Sequence, residues 1–167
     1  MKHFFILLFF AFGLSNVNGQ NSFNLGIGLG LPLGNAGDTH IITVNLDASY
    51  LWELSEQFDA GIASGFLNSF GDSEDIGGGV IMIDTPDVSF IPIAGSARYN
   101  ISEEFVVGTD LGYAVGINPD TNDGGFYYAP RIQFNTSDFL SIVAAYRGVS
   151  VDGGSFDNLS VGLELSF

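Results

Sequence analysis

The chain has 167 residues, with 19 acidic side chains against 4 basic ones, a formal net charge of −15 and no cysteine. That length suits one domain with a real core. The acidity excludes a nucleic-acid footprint, which needs clustered Lys and Arg, and the missing cysteine excludes a disulfide scaffold, a thiolate metal site and a cysteine nucleophile.

The first twenty residues read as an address. Met1-Lys2-His3 is a short basic start, Phe4–Leu14 is an apolar run of 11 residues, and Val17 and Gly19 stand at −3 and −1 of a cut before Gln20. This is the layout of a cleaved secretory signal peptide, too short for the roughly 20 residues of a spanning helix. Residues 1–19 are therefore expected to be removed and 20–167 to form the domain. With no cysteine at the cut, a lipoprotein anchor is not expected. Beyond Gln20 there is no lysine, and the basic side chains that remain are Arg98, Arg131 and Arg147.

From Phe23 onward the apolar period is two, the signature of strands. The first segment alternates Phe23, Leu25, Ile27, Leu29 and Leu31 with glycines, so its Gly26-x-Gly28-x-Gly30 lies inside a strand and is no phosphate loop. Seven more follow, with apolar phases anchored at Ile42–Trp52, Phe58–Phe66, Ile91–Tyr99, Phe105–Val115, Phe126–Phe134, Leu140–Tyr146 and Leu159–Phe167. Short connections (53–57, 102–104, 136–138) alternate with long ones rich in Gly, Asp and Asn (34–39, 71–87, 118–125, 152–158). That alternation predicts an all-β, eight-stranded antiparallel up-and-down meander with its long loops at one end. A meander of this length closes into a barrel, which removes its open edges.

Composition decides which face is outside. Hydrophobic residues make up 46% of the chain and charged ones only 14%, against about 25% in soluble domains. The second face of the strands is mostly Gly, Ala, Ser and Asn, and it holds seven charges of both signs: Asp47, Asp59, Asp110 and Glu164 with Arg98, Arg131 and Arg147. Small residues fit the inside of a narrow barrel, and opposite charges enclosed there can satisfy one another. The apolar face is expected to carry no charge, with the remaining carboxylates in turns and loops, as lipid exposure requires. Aromatics divide between the ends: Tyr50, Trp52, Phe58, Tyr99, Phe105, Phe134, Phe139 and Phe167 beside the short turns, Phe66, Phe90, Phe126, Tyr128 and Tyr146 toward the long loops. Two such rings match the girdles of transmembrane barrels.

On these residues the chain resembles the small eight-stranded outer-membrane β-barrel proteins of Gram-negative bacteria, in particular the outer-membrane-protein β-barrel-domain group of Bacteroidota type. The resemblance covers Asn21–Phe167, and its most specific element is the alternating end, Leu159, Val161, Leu163, Leu165 and a terminal Phe167. Leu163, Leu165 and Phe167 resemble the signal read by the barrel-assembly machinery during insertion. The resemblance implies short turns in the periplasm, long loops at the cell surface, outer-membrane lipid and lipopolysaccharide as surroundings, and no catalytic residues, since the group is defined by architecture.

Candidate chemistry is sparse. His40, the one histidine after the leader, falls in phase with the lipid face and has Ile42 as its same-face neighbour, so no His-x-Ser pair is available for acyl transfer. Asp120-Thr-Asn122-Asp123-Gly124 resembles a calcium loop but is one residue short of the required spacing and lacks the distal Glu. Solvated turn residues are the better account, with weak cation binding as the alternative; no cofactor and no resident metal are expected. Val80–Ile83 is read as extending the third hairpin beyond the bilayer, with capping or binding as the alternative. The expected function is that of an integral outer-membrane barrel, not an enzyme, with a side-chain-plugged interior and a structural or surface-interaction role toward an unknown ligand. The alternatives are a narrow porin-like channel or a carrier of a small apolar ligand.

Overall fold

A computed structural model describes residues 21–76, 81–151 and 153–167. The proposed signal peptide and Val80 lie outside them. Ten strands appear in chain order: β1 (Asn21–Leu33), β2 (His40–Ser55), β3 (Phe58–Gly71), β4 (Ser73–Ile76), β5 (Ile81–Asp84), β6 (Val88–Asn100), β7 (Phe105–Asn118), β8 (Gly125–Ser137), β9 (Leu140–Val151) and β10 (Gly154–Ser166). A 3₁₀ turn at Gly34–Ala36 joins β1 to β2.

Eight of the strands form a closed antiparallel barrel in the order β1-β10-β9-β8-β7-β6-β3-β2. Closure is made between the first strand and the chain end: Leu25 pairs with Leu165 and Leu29 with Val161, and the Phe23 and Phe167 backbones exchange hydrogen bonds of 3.2 and 2.9 Å. Every ladder group of an edge strand thereby finds a partner. The remaining two strands, β4 and β5, pair only with each other, as a separate two-stranded sheet in the connection between β3 and β6.

Alternation decides the faces because successive side chains point to opposite sides of a strand. Leu25, Ile27, Leu29, Leu31, Ile62, Ile93, Leu111, Ile132, Leu159, Val161 and Leu163 all stand exposed on the outer wall. Inside lie the arginines, buried carboxylates, serines, asparagines and small residues. A water-soluble barrel would have these faces reversed. At the short-turn end Tyr50 meets Trp52 edge-on (centroids 5.2 Å apart), and Phe105 meets Phe134 at 5.0 Å.

Four sequence expectations need correction. His40 is buried rather than lipid-phased: an irregularity in the β2–β3 register between His40 and Ile42 shifts the phase and turns its ring inward, edge-on to Phe156 at 5.2 Å. Phe90 is 2% exposed and points into the lumen, as its alternation with Ile91 demands. The connection drawn at 152–158 is mostly strand, since β10 begins at Gly154. In consequence Asp157 stands on the outward face of β10, so that face is not free of charge.

Asp157 is accommodated by a crossed contact. Tyr128 on β8 and Asp157 on β10 are both paired with Gly148 on the strand between them, and the Tyr128 hydroxyl donates to Asp157 Oδ1 at 2.9 Å. A Cβ at position 148 would overlap the Tyr128 ring, so glycine is what lets the phenol lie across β9. Phe126, Tyr128 and Tyr146 stack in sequence beside it, with centroid spacings of 6.3 and 6.2 Å.

Candidate functional site

Six of the seven charges predicted for the interior are drawn together in three ion pairs. Arg147, on β9, reaches across the lumen to β2 and holds Asp47 through two parallel bonds of 2.8 Å, Nη1 to Oδ1 and Nη2 to Oδ2. Arg131 on β8 passes over β9 to Glu164 on β10, with Nη2 donating to Oε1 at 2.8 Å. Arg98 on β6 donates to Asp110 on β7, Nη1 to Oδ1, at 2.8 Å, and Ser96 supports the same carboxylate. Asp59 stands apart, accepting from Asn100 Nδ2 at 3.1 Å toward the short-turn end. The bidentate fork of Arg147 is the geometry that the planar guanidinium favours.

These side chains are positioned by strand parity together with selective absence of bulk. Arg98 lies along the wall over Gly108, where a Cβ would overlap its chain. Around Arg147, Ser160 Oγ accepts from Nε at 3.1 Å and the Tyr127 hydroxyl accepts from Nη1 at 3.2 Å. Spaces beside the ion pairs measure only about 10 Å³ each, one next to Arg98, Asp110, Arg131 and Glu164, the other next to Asp47 and Arg147. That is about the room of a single water. The middle of the lumen is filled.

Above this layer, toward the long loops, the interior turns apolar. Leu67, Phe90, Ala94, Ala114, Tyr127, Ala129 and Val149 form a buried cluster, with Val88, Val151 and Phe156 packed against it. As a cluster, this apolar plug is missing from the sequence reading. Its signal was available, because alternation loses contrast where strands approach the long loops: Phe66-Leu67 and Phe90-Ile91 are apolar on both faces, and Val149 and Val151 place two bulky apolar residues on the inward one. Below the ion pairs, toward the short turns, lies a polar cavity of about 400 Å³ lined by Asn24, Asp59, Asn100, Gln133, Asn135 and Ser141 among others.

A second cavity, of about 550 Å³, sits on top of the apolar plug. Its side is the loop 119–124. There Asn122 turns its amide inward, donating to Ser89 O and Asn118 O, each at 3.1 Å, and accepting from Gly124 N–H at 3.1 Å. Tyr113 pins the same loop through a 3.0 Å bond to Asp123 O. Asn122 Oδ1 is thus engaged within its own loop, Asp120 and Asp123 are exposed, and among the described residues no group of three His, Asp or Glu side chains is placed to hold a metal ion. His40 Nδ1 lies 2.8 Å from the Thr39 hydroxyl. Of the residues expected to carry the insertion signal, Leu163, Leu165 and Phe167 are all exposed on the outer wall.

No family model matches the sequence, and no curated protein sequence matches it. The structure, however, has clear neighbours. It is similar to Ail of Yersinia pestis in a phospholipid nanodisc, with a TM-score of 0.59 and 18% identity over 90% of this chain and 100% of that one. The fold is that of a small outer-membrane β-barrel. A de novo designed transmembrane β-barrel matches with a TM-score of 0.53 and 12% identity, covering 92% of this chain and 100% of the design. OprG of Pseudomonas aeruginosa matches at 0.50 and 11%, over 89% and 96% of the two chains.

Proposed function

We propose that this chain is an integral outer-membrane protein, exported on an N-terminal signal peptide, whose lumen is closed by its own side chains and whose working surface is the long-loop end. The observation that carries the closed lumen is the ionic layer, where the remaining spaces hold about 10 Å³ each. The membrane reading rests on the outward apolar wall, since a continuous surface of exposed Leu, Ile and Val around a closed barrel has no stable contact with water. Strands of 12 to 16 residues exceed the 9–11 that a tilted transmembrane strand requires. In this reading the wall contacts outer-membrane lipid, the acidic long loops face lipopolysaccharide headgroups, and Leu163, Leu165 and Phe167 are presented to the barrel-assembly machinery. The Bacteroidota-type grouping belongs to the same proposal, and no catalytic role is assigned.

Ail has been seen with a heparin analogue, sucrose octasulfate. The long loops here contain no Lys or Arg, so a polyanion of that kind has no complementary charge to meet. The test of a closed lumen is planar-bilayer conductance of the refolded protein. Silence is expected; discrete openings altered by Arg98→Ala would overturn the reading in favour of a narrow channel.

A further inference from the structure

The cavity on top of the apolar plug combines three features. Its floor is apolar, made by Phe90, Phe156, Val88 and Val151. Its size, about 550 Å³, lies within the range of small-molecule sites. Its wall is preformed, because Asn122 makes three hydrogen bonds that fix the loop 119–124 against the barrel rim. A site that is already shaped loses less free energy on ligand ordering than one that must be assembled.

Charge then selects the occupant. Asp123 lines the cavity beside Ser150. The other acidic or basic residues of the long connections 34–39, 71–87 and 118–125 are also carboxylates: Asp38, Asp72, Glu74, Asp75, Asp84, Asp87 and Asp120. The nearest guanidinium, Arg147, lies two inward positions below Val151, beneath Val149, and its charge is taken by Asp47. His40 sits on the far side of Phe156 with its Nδ1 on Thr39. An anionic amphiphile would therefore meet only repulsion at the rim, whereas a cation meets carboxylate.

We propose that this cavity binds a small amphipathic cation, with an aromatic or branched aliphatic body seated on Phe156, Val88 and Val151 and an ammonium group held at Asp123. The inference rests on the long-loop end being the working surface. Because the plug and the ionic layer close the lumen below, the molecule is held rather than passed through.

The experiment uses the full refolded barrel in nanodiscs of zwitterionic phosphatidylcholine, so that membrane charge does not draw in the probe. Phenylethylammonium, the uncharged 2-phenylethanol and the anionic 3-phenylpropanoate are titrated while backbone amide shifts are followed by NMR. Saturable shifts at Gly124, Gly125, Ser150 and Val151 are expected for the ammonium. An exposed carboxylate contributes modestly, so affinity should fall about fivefold with Asp123→Asn and differ about tenfold between ammonium and carboxylate probes. Val151→Trp fills the cavity and should abolish the shifts, with Val88→Trp as a second filler; heat-modifiable gel migration verifies that each variant folds. Absence of saturable shifts, equal binding of the carboxylate, or full binding by a folded filler variant would each overturn the proposal. Should both fillers fail to fold, an Asp123→Asn variant with unchanged ammonium affinity overturns it as well. A barrel that inserts and stays electrically silent yet shows no shifts defeats the site alone; a barrel that conducts defeats the closed-lumen reading first.

Discussion

The Arg147–Asp47 pair is the most informative bond to cut, because it ties together β9 and β2, two strands separated by β10 and β1 in the barrel wall. Its two members are unequally buried: the Arg147 side chain is 6% exposed and that of Asp47 23%. Removing one partner of a buried pair costs about 3–5 kcal/mol, most of it from the charge left behind. Arg147→Ala leaves a carboxylate that can draw some water from its exposed edge, which places it near the lower limit, about 3 kcal/mol. Asp47→Ala leaves a guanidinium sealed among Tyr127 and Ser160, both neutral, and should cost about 4 kcal/mol or more. Replacing both by Met and Leu removes the ions together and should return the barrel to within about 1 kcal/mol of the parent. The assay is equilibrium urea unfolding from lipid vesicles. It is followed by the fluorescence of Trp52, which is the sole tryptophan and lies on the outer wall. With a slope of about 2 kcal/mol/M, Arg147→Ala lowers the midpoint by about 1.5 M. Reversal of the order of the two single variants would refute the burial argument. A double variant as weak as the sum of the singles would refute the pairing itself.

Four further outcomes are expected. Gly148→Ala should displace the Tyr128 ring and break its bond to Asp157, lowering stability by about 1–2 kcal/mol, with Tyr128→Phe costing about 1 kcal/mol by itself; urea midpoints check both. Phe90→Ala removes a fully buried ring of the plug and should cost about 3–5 kcal/mol in the same assay. That variant should nonetheless stay silent in planar bilayers, because the ionic layer below is intact; openings would assign the seal to the plug instead. Asn122→Ala releases three hydrogen bonds and should speed limited proteolysis within residues 119–124 several-fold, with midpoint little changed. The folded chain should migrate differently in unheated and heated gels and require detergent or lipid for solubility; a soluble chain with no shift would sink the membrane reading.

The eight barrel strands, their order and their faces were legible in the sequence because both are set by a period of two and by loop lengths, which are local properties. The interior charges were legible for the same reason: Asp47, Asp110, Glu164 and the three arginines share the parity of the small residues. Which arginine meets which carboxylate was not. The Arg147–Asp47 bond joins residues 100 positions apart across the lumen, and that contact depends on how the strands stagger when the sheet closes. His40 was misplaced because a single irregularity in the ladder reverses the phase, and nothing in Asp-Thr-His-Ile-Ile announces it. Asp157 was placed in a loop because residues 152–158 are rich in Gly, Asp and Asn. Its acceptability depends on Tyr128, on a strand two places round the barrel, and on the glycine between them.

The order of layers along the lumen links these parts. A narrow barrel could be closed by bulky apolar side chains throughout, yet here the middle is ionic and only the long-loop end is apolar. Each of the six paired charges comes from a different strand, and together they tie six of the eight walls, β2, β6, β7, β8, β9 and β10, by directional bonds. Directional bonds fix strand stagger in a way that greasy contacts do not, since a slip by one residue would leave buried charges unpaired. The apolar plug then sits on a rigid base, with the partly buried Val88, Val151 and Phe156 packed on it beside a loop already held by Asn122. Stiffness in the middle and a shaped hydrophobic surface at one end are what a barrel needs to present a binding face rather than a passage. The acidic excess of the chain supports the same division: inside the barrel most of the charge cancels, and what remains at the long-loop end is of one sign.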